Sequence, residues 1–237
     1  MAGLHVRSLL VTGANRGLGL GLVQHFLRMP NPPQWIFATC RDPKGQRAQV
    51  KSDWEAVTVL GDGKVSDPTS IKAAAAKVGE HLGGSGLNLL INNAGIAKPN
   101  SLDNETPEDM IQVYTTNTVG PLLMGQVSSE LSCSKAAIIN MSSYAGSIED
   151  MYVWDFGQIV SYRCSKAALN MLSRCQSLAY KEHGILCVAL HPGWVQTDMG
   201  PPLTVEDSVQ GMLKVLSSIS EKETGAFLDW EGKVMPW

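Results

Sequence analysis

Residues 6–19 read VRSLLVTGANRGLG, and this stretch decides the fold. It opens with an apolar run of β-strand length and continues through three closely spaced glycines into an apolar helical pattern. Gly13 permits a tight turn, Gly17 lets the backbone approach a diphosphate, and Gly19 lets the helix pack closely on the strand. The free N–H groups at the start of that helix carry a partial positive charge that favours phosphate. The stretch predicts a nucleotide-binding loop, and a plain glycine-rich turn is the alternative.

Strand-like and helical segments alternate from one end of the chain to the other. Strands are predicted at residues 6–11, 35–40, 56–60, 87–91, 136–141, 185–190 and 226–230, and helices at residues 18–29, 68–82, 107–130, 156–183 and 205–217. Several strands are largely apolar, which is typical of strands covered by helices on both faces. Alternating strands and helices form βαβ units with right-handed crossovers. The sequence therefore predicts an α/β, single-domain Rossmann fold over residues 1–237, with a doubly wound, mostly parallel sheet and helices on both faces.

The composition excludes several classes of protein. Hydrophobic residues make up 44% of the 237 residues and charged residues 17%, which is enough for a large core and too apolar for a disordered chain. The net charge of −3 offers no general attraction to nucleic acid or to an anionic membrane. The five cysteines are scattered, without metal-ligand spacing or a disulfide framework. We expect a soluble, reduced, cytoplasmic protein that binds no metal, no nucleic acid and no membrane.

The end of the second predicted strand bears on the choice of nucleotide. NAD-binding folds place an acid there to bind the ribose 2′-hydroxyl, but this chain has Cys40 followed by Arg41. Arg16, in the glycine loop, adds a second cation. Two guanidinium groups suit a 2′-phosphate, because each can donate paired hydrogen bonds to it, and the sequence therefore favours NADP(H) over NAD. The alternative is that both arginines are solvated surface charges, with Asp42 neutralising Arg41.

Four polar residues have the chemistry of a proton-transfer site. Tyr162 and Lys166 are four residues apart in a helical stretch, so they share one face. A phenol is a poor acid at neutral pH unless its anion is stabilised, and a neighbouring ammonium group stabilises it. Ser143 follows a predicted strand and can hold a carbonyl oxygen, while Asn117 can anchor a water near Lys166. A Tyr–Lys pair at this spacing also occurs by chance, and Ser143 and Asn117 are what argue against chance.

The polar clusters at the strand ends together resemble those of the short-chain dehydrogenase/reductase family. TGANRGLG at residues 12–19 is similar to the family's TGxxxGxG loop, and NNAG at residues 92–95 to its NNAG motif. YRCSK at residues 162–166 is similar to YxxxK. The resemblance covers nearly the whole chain. SIED at 147–150, HPGWVQTDMG and the ending FLDWEGKVMPW resemble the Sniffer/C-factor-like carbonyl reductases.

The resemblance implies NADPH-dependent reduction of aldehydes and ketones to alcohols. It implies a catalytic tetrad of Asn117, Ser143, Tyr162 and Lys166, with Tyr162 as the general acid. The cofactor-binding residues that it implies are Gly13, Asn15, Arg16, Gly17, Leu18, Gly19, Arg41, Asn93, Ala94, Gly95, Tyr162, Lys166, Pro192, Gly193, Val195 and Thr197. The expected partner is a small carbonyl compound, and a homodimer or homotetramer is compatible with the family. The alternatives are an NADP-binding sensor or scaffold protein with little or no turnover and, less favoured, a sugar-nucleotide epimerase or dehydratase.

The chain departs from the family pattern in three places. Lys64 occupies the position of an acid that contacts the adenine in the family, with Asp62 nearby but out of register. The 117–143 segment is several residues shorter than usual, so a truncated helix after Asn117 is expected. The 198–204 loop is also short, which predicts a small lid over the substrate.

Four ring-bearing residues near the predicted strand ends have two interpretations. His191 lies at a strand end, but no acid or serine partner is evident in the sequence, so a structural histidine is expected. Trp154, Phe156 and Trp194 could line an apolar substrate pocket or could be ordinary core aromatics.

Overall fold

Strands and helices alternate along the chain in the computed structural model, which describes residues 6–42, 57–61, 63–152, 154–195 and 203–237. The strands are β1 (Ser8–Thr12), β2 (Trp35–Thr39), β3 (Val57–Leu60), β4 (Leu87–Asn92), β5 (Ser132–Met141), β6 (Ile185–His191) and β7 (Phe227–Asp229). The α-helices are α1 (Gly17–Leu27), α2 (Pro68–Leu82), α3 (Pro107–Tyr114), α4 (Gly120–Leu131), α5 (Val160–Ala179) and α6 (Val205–Ser218). Each overlaps the range that the sequence predicts.

The strands form one sheet in the order β3-β2-β1-β4-β5-β6-β7. Every pairing between these strands is parallel. The chain runs outward from β1 to β3 and then returns to pair β4 with the other side of β1. In such sheets a ligand binds beyond the carboxyl ends of the strands at the point where the order reverses. A ligand is therefore expected at the loops that follow β1 and β4.

Helices cover the sheet on both faces, and the central strands are buried for that reason. Every residue of β1 is buried. Successive side chains of a strand point to opposite faces. Leu9 and Val11 accordingly join the core cluster that contains Phe26 of α1, whereas Leu10 joins the cluster that contains Val78 of α2. The predicted fold class, a doubly wound α/β Rossmann fold, is confirmed.

The predicted helix at 107–130 is interrupted by one turn of π-helix at Thr115–Val119. Gly120 at the end of that turn donates its N–H to the carbonyl of Thr115, five residues back. The Oγ1 of Thr118 donates to the carbonyl oxygen of Ser165 at 2.9 Å, which ties the turn to α5. Single π-turns within α-helices are frequent at functional sites.

The 117–143 segment is short at the connection between α4 and β5. The sequence predicts a truncated helix after Asn117, but a helix of 12 residues, α4, is present there. Strand β5 begins at Ser132, the residue directly after α4 ends. The segment is short because no loop separates α4 from β5.

The helix predicted at 156–183 begins later than its sequence suggests. Residues Trp154–Phe156 form a 3₁₀ turn, and α5 begins at Val160 after Ile159, whose φ of 40° lies in the left-handed region. At the other end Tyr180 leaves the helix, and a 3₁₀ turn follows at Lys181–His183. The chain therefore changes direction immediately before the helix that carries Tyr162 and Lys166.

Candidate active site

The glycine loop after β1 needs glycine at two positions for steric reasons. Gly13 has a φ of 65°, and a Cβ added there would lie 2.9 Å from the Cα of Ala94. A Cβ added at Gly19 would lie 2.4 Å from the carbonyl oxygen of Gly13 and 2.5 Å from Nδ2 of Asn93. Gly17 has a φ of 56° and open space beside it. The loop is packed tightly against the segment after β4 and remains open where a diphosphate would approach.

A prediction about stability follows from the contacts of Gly19. Gly19→Ala is expected to lower the free energy of unfolding by about 2 kcal/mol, because the added methyl group must displace the loop backbone. Gly157→Ala is the matched control, because a Cβ there meets nothing within 4 Å. Urea unfolding of the two variants measures the difference, and a Gly19→Ala protein as stable as wild type would refute the tight packing.

The start of α1 is suited to bind an anion. Its N-cap, Arg16, has extended backbone angles and makes no side-chain capping hydrogen bond. The first turn contains no acidic residue. The first N–H groups of a helix have no partner within the helix, and the helix dipole adds positive potential there. This end of α1 can therefore receive phosphate oxygens.

Asn93 holds the glycine loop in place through its side chain. Its Nδ2 donates to the carbonyl oxygens of Thr12 at 3.0 Å and Gly13 at 3.1 Å. The Oγ1 of Thr12 in turn accepts the N–H groups of Asn93 and Ala94, both at 3.0 Å. Asn93 thus supports the loop through its amide, and Thr12 is a structural partner that the sequence analysis missed.

A cavity of about 480 Å³ opens at the carboxyl ends of β1 and β4. Its volume is within the range of small-molecule sites. Most predicted cofactor-binding residues line it: Gly13, Asn15, Arg16, Gly17, Leu18, Arg41, Asn93, Ala94, Gly95 and Val195. The structure therefore brings together loops that are distant in the sequence.

Three cations line this cavity, one more than the sequence analysis assigned to the 2′-phosphate. Arg16, Arg41 and Lys64 are all exposed side chains on its wall. The loop that carries Lys64 is attached to the end of β2, because the N–H of Gly63 donates to the carbonyl oxygen of Cys40 at 3.0 Å. None of the three cations forms an ion pair with another residue that the structure describes. Asp62 lies outside the described residues.

Tyr162 and Lys166 come together as their spacing predicts. The Nζ of Lys166 is 5.5 Å from the centroid of the Tyr162 ring. Burial raises the pKa of Tyr162, and a hydrogen bond with Ser143 opposes part of that rise. The phenol is therefore protonated at neutral pH and has a hydroxyl partner.

Lys166 is buried, and burial lowers its pKa to about 8. Its Nζ donates a hydrogen bond of 2.6 Å to the carbonyl oxygen of Met141, the last residue of β5. With this pKa the side chain is charged at pH 7 but loses its proton more readily than an exposed lysine. The charge is held close to the phenol at a cost in desolvation.

Asn117 joins the cluster from the π-turn and holds two neighbouring segments. Its Oδ1 accepts the N–H of Ile96 at 2.9 Å, and its Nδ2 donates to the carbonyl oxygen of Ile96 at 2.8 Å and to Oγ of Ser165 at 3.0 Å. A Cβ added at Gly95 would lie 3.3 Å from Oδ1 of Asn117 and 3.7 Å from Nζ of Lys166. Gly95 thus lies on the cavity wall and next to Asn117 and Lys166.

The segment after β6 is described only as far as Val195. Gly193 has a φ of 83°, and a Cβ there would lie 2.4 Å from Leu203, so this position requires glycine. The carbonyl oxygen of Pro192 accepts a hydrogen bond from Ser208 of α6. Val195 is buried and reaches the cavity wall. Thr197, predicted from the sequence to bind the cofactor, lies outside the described residues, as does most of the 198–204 loop.

His191 is a structural histidine, as the sequence predicts. Its Nδ1 accepts the N–H of Tyr144 at 3.3 Å. Burial lowers the pKa of His191 to about 4, although the charge of Asp229 opposes the change. The ring is therefore neutral at pH 7 and acts as an acceptor.

The tryptophans proposed as pocket walls have different surroundings. Trp194 is 46% exposed, so it is not a core residue. The ring of Trp154 lies 5.5 Å from the guanidinium carbon of Arg163, a cation–π contact. The side chain of Phe156 lies outside the described part of the chain.

Metal-ligand groups, membrane-spanning helices and cysteine pairing were each compared across the described residues. They contain no group of three or more His, Cys, Asp or Glu side chains placed to hold a metal ion. None of their helices has both the length and the apolar character needed to cross a membrane. The cysteines whose side chains are described are unpaired: Cys40 and Cys187 are buried, and Cys164 and Cys175 are exposed.

Known proteins are similar to this chain in sequence and in structure. Residues 7–207 match the family model for short chain dehydrogenases. An NADPH-bound carbonyl reductase from chicken fatty liver is 64% identical, with a TM-score of 0.94 over 99% of this chain and all of the chicken chain. Carbonyl reductase Sniffer of D. melanogaster is 35% identical, with a TM-score of 0.91 over 98% of this chain and all of its own. C-signal of Myxococcus xanthus is 36% identical over 157 residues, which are 64% of this chain and 93% of C-signal.

Proposed function

Because the chain belongs to the short-chain dehydrogenase/reductase family, in its Sniffer-like carbonyl reductase group, and is an oxidoreductase, we propose that it reduces aldehydes and ketones to alcohols with NADPH. One observation carries the proposal. Tyr162 lies with its partner Ser143 and with the buried Lys166, and Lys166 approaches Gly95, which lines the cavity where the strand order reverses.

The residues of the cavity fit a dinucleotide phosphate. Space is open beside Gly17, the N–H groups at the start of α1 are uncapped, and cations line the same cavity. When bound, NADPH would supply the hydride. We assign its phosphates to the glycine loop and its nicotinamide end to Gly95 and Lys166, with Pro192, Gly193 and Thr197 at the carboxamide by resemblance to the family.

The chain's own contribution is to orient the carbonyl compound and move a proton. Ser143 and Tyr162 donate hydrogen bonds to the carbonyl oxygen, and Tyr162 transfers its proton as negative charge develops there. Because burial raises the pKa of Tyr162, the phenol holds its proton until that moment. The ammonium group of Lys166 and the hydroxyl of Ser143 then stabilise the phenolate. Asn117 holds both backbone groups of Ile96, and we assign to Asn117 a water that returns the proton to the phenol through Lys166.

The preference for NADP(H) rests on Arg16, Arg41 and Lys64. A charge-assisted hydrogen bond is worth about 1.5–3 kcal/mol. Arg41→Asp is therefore expected to weaken NADPH binding by about 10- to 100-fold and NADH binding by less than about threefold. Titration calorimetry with both nucleotides measures this, and Arg28→Asp, an exposed position at the end of α1, controls for the change in net charge. Equal losses for NADPH and NADH in Arg41→Asp would remove the assignment.

The proposed reaction is tested by NADPH oxidation with a panel of quinones, α-dicarbonyls and reactive aldehydes. We expect turnover with at least one of these classes. Tight NADPH binding without consumption of NADPH by any of them would favour the alternative, a sensor or scaffold protein. The buried lysine beside a phenol argues against that alternative, because a protein that only binds the nucleotide has no need for this pair.

Three broader expectations remain proposals. The exposed apolar side chains of Met171 and Leu178 on α5 favour association into a homodimer or homotetramer. A single domain over residues 1–237 and a cytoplasmic location agree with the composition. Size-exclusion chromatography with light scattering measures the oligomeric state, and limited proteolysis tests whether the chain is a single domain.

A further inference from the structure

Helix α5, which carries Tyr162, begins at a strained residue that provides no cap. Ile159 is the N-cap, with a φ of 40° and a ψ of 50°, and it makes no side-chain capping hydrogen bond. The left-handed region is unfavourable for a β-branched residue. Such a conformation costs about 1–3 kcal/mol and persists only where surrounding contacts hold it. The start of α5 therefore depends on contacts from elsewhere in the chain.

Glu105, from the segment after β4, supplies the missing cap. Its Oε2 accepts the N–H of Ser161, in the first turn of α5, at 2.9 Å. Its Oε1 accepts from Nδ2 of Asn100 at 2.8 Å and from the N–H of Thr106 at 3.2 Å, so the carboxylate is held from both sides. Desolvation raises the pKa of Glu105, but these hydrogen bonds outweigh it and lower the pKa. The group is ionised at neutral pH and complements the helix dipole.

A second connection holds the same two segments together. The N–H of Leu102 donates to Oε1 of Gln158 at 2.7 Å. Nε of Arg163, one turn into α5, donates to the carbonyl oxygen of Gln158 at 2.9 Å. The 100–105 segment is thus attached on both sides of Ile159, once to the residue before it and once to the helix after it.

The segment that holds α5 begins at the wall of the cavity. Residues 93–95 line that cavity, and Ile96 is bound on both backbone groups by Asn117. Farther along, Lys98 forms an ion pair with Asp109 of α3. The path from the cavity to residue 105 is therefore fixed at several points. Glu105, at the end of this path, accepts a hydrogen bond from Ser161, the residue before Tyr162.

We propose that Glu105 is a positioning residue for Tyr162: by capping α5 at Ser161 it sets the place of the phenol relative to the cavity. The inference rests on the proposed role of Tyr162 as the proton donor. Misplacement of a reacting group by about 1 Å can cost about 100-fold in rate. Loss of the cap should therefore lower kcat, while nucleotide binding should be unaffected, because Glu105 does not line the cavity.

The test compares Glu105→Ala with Glu105→Gln and with Glu108→Ala. Glu108 is an exposed glutamate in the first turn of α3 and serves as the matched control. We expect Glu105→Ala to lower kcat by about 10- to 100-fold, with KM for the carbonyl compound and Kd for NADPH within threefold. Glu105→Gln keeps one acceptor oxygen and should fall between Glu105→Ala and wild type. Hydrogen exchange at the Ser161 amide should be at least tenfold faster in Glu105→Ala and unchanged in Glu108→Ala.

A double variant keeps the test decisive if Glu105→Ala does not fold. Ile159→Gly removes the left-handed penalty, so Glu105→Ala/Ile159→Gly should fold and still show the reduced kcat. A wild-type kcat in either background, or a Glu105→Gln protein as slow as Glu105→Ala, would overturn the inference. Tyr162→Phe separates the two proposals: wild-type activity in that variant would overturn the proposed reaction, whereas the exchange rate at Ser161 does not depend on the reaction.

Discussion

Tyr162→Phe is expected to lower kcat by at least about 100-fold, the usual scale for a lost acid–base group. The variant keeps the aromatic ring and loses only the hydroxyl that carries the proton. Because Tyr162 is not among the residues that line the cavity, the Kd for NADPH should stay within about threefold. Steady-state kinetics and nucleotide titration on the same preparation measure both quantities.

Tyr114→Phe is the control for the removal of a phenol hydroxyl. Tyr114 is 45% exposed at the end of α3 and takes no part in the proposed chemistry. Its variant should have wild-type kcat. Activity in Tyr162→Phe comparable to that of Tyr114→Phe would remove Tyr162 from the mechanism and leave the site without its proton donor.

Lys166→Met is expected to inactivate the enzyme and at the same time to stabilise the fold at pH 7. The pKa of Lys166 is about 8 in the folded chain, against 10.5 for an unperturbed lysine. A difference of this size is worth about 3 kcal/mol against folding at pH 7, where lysine is charged in both states. Loss of the hydrogen bond to Met141 offsets about 1 kcal/mol of it. We therefore expect Lys166→Met to be about 1–3 kcal/mol more stable.

The pH dependence of that stability difference has a definite sign. Wild type regains the missing stability as pH rises from about 8 to 10.5, because Lys166 loses its proton in the folded chain first. Urea unfolding at pH 7 and pH 9.5 should therefore show a larger advantage for Lys166→Met at the lower pH. Lys72→Met, exposed on α2, should change stability by no more than about 0.5 kcal/mol at either pH. An advantage that is absent at pH 7, or larger at pH 9.5, would contradict the buried charge.

Most of the fold could be predicted because its signals are local and strong. The strand at 87–91 is apolar except for Asn88, and the structure buries every residue of β4. The glycines at 13 and 19 were assigned steric roles from their spacing, and the contacts of a Cβ at each position agree with those roles. Tyr162 and Lys166 share a helix face at their spacing and are in contact.

The features that the sequence did not predict depend on contacts between distant segments. The π-turn at Thr115–Val119 is held by side chains that contact Ile96 and Ser165. These partners are distant in the sequence, so no local sequence pattern predicts them. The cap of α5 comes from a carboxylate 56 residues earlier in the chain. The sequence places Lys64 at the position of an adenine contact, and only the attachment of its loop to the end of β2 places it with the two arginines.

Transfer of deuterium from NADPH labelled at both hydrogens of its reactive ring carbon measures whether the protein moves a hydride to a carbonyl carbon with the help of Tyr162. The protein is incubated with the labelled nucleotide and the best carbonyl compound of the panel, and the alcohol is analysed by mass spectrometry. We expect an alcohol carrying one deuterium on the former carbonyl carbon, formed by wild type and by Tyr114→Phe and at least about 100-fold more slowly by Tyr162→Phe. An unlabelled alcohol, or label transfer that is equally fast without the Tyr162 hydroxyl, would contradict it.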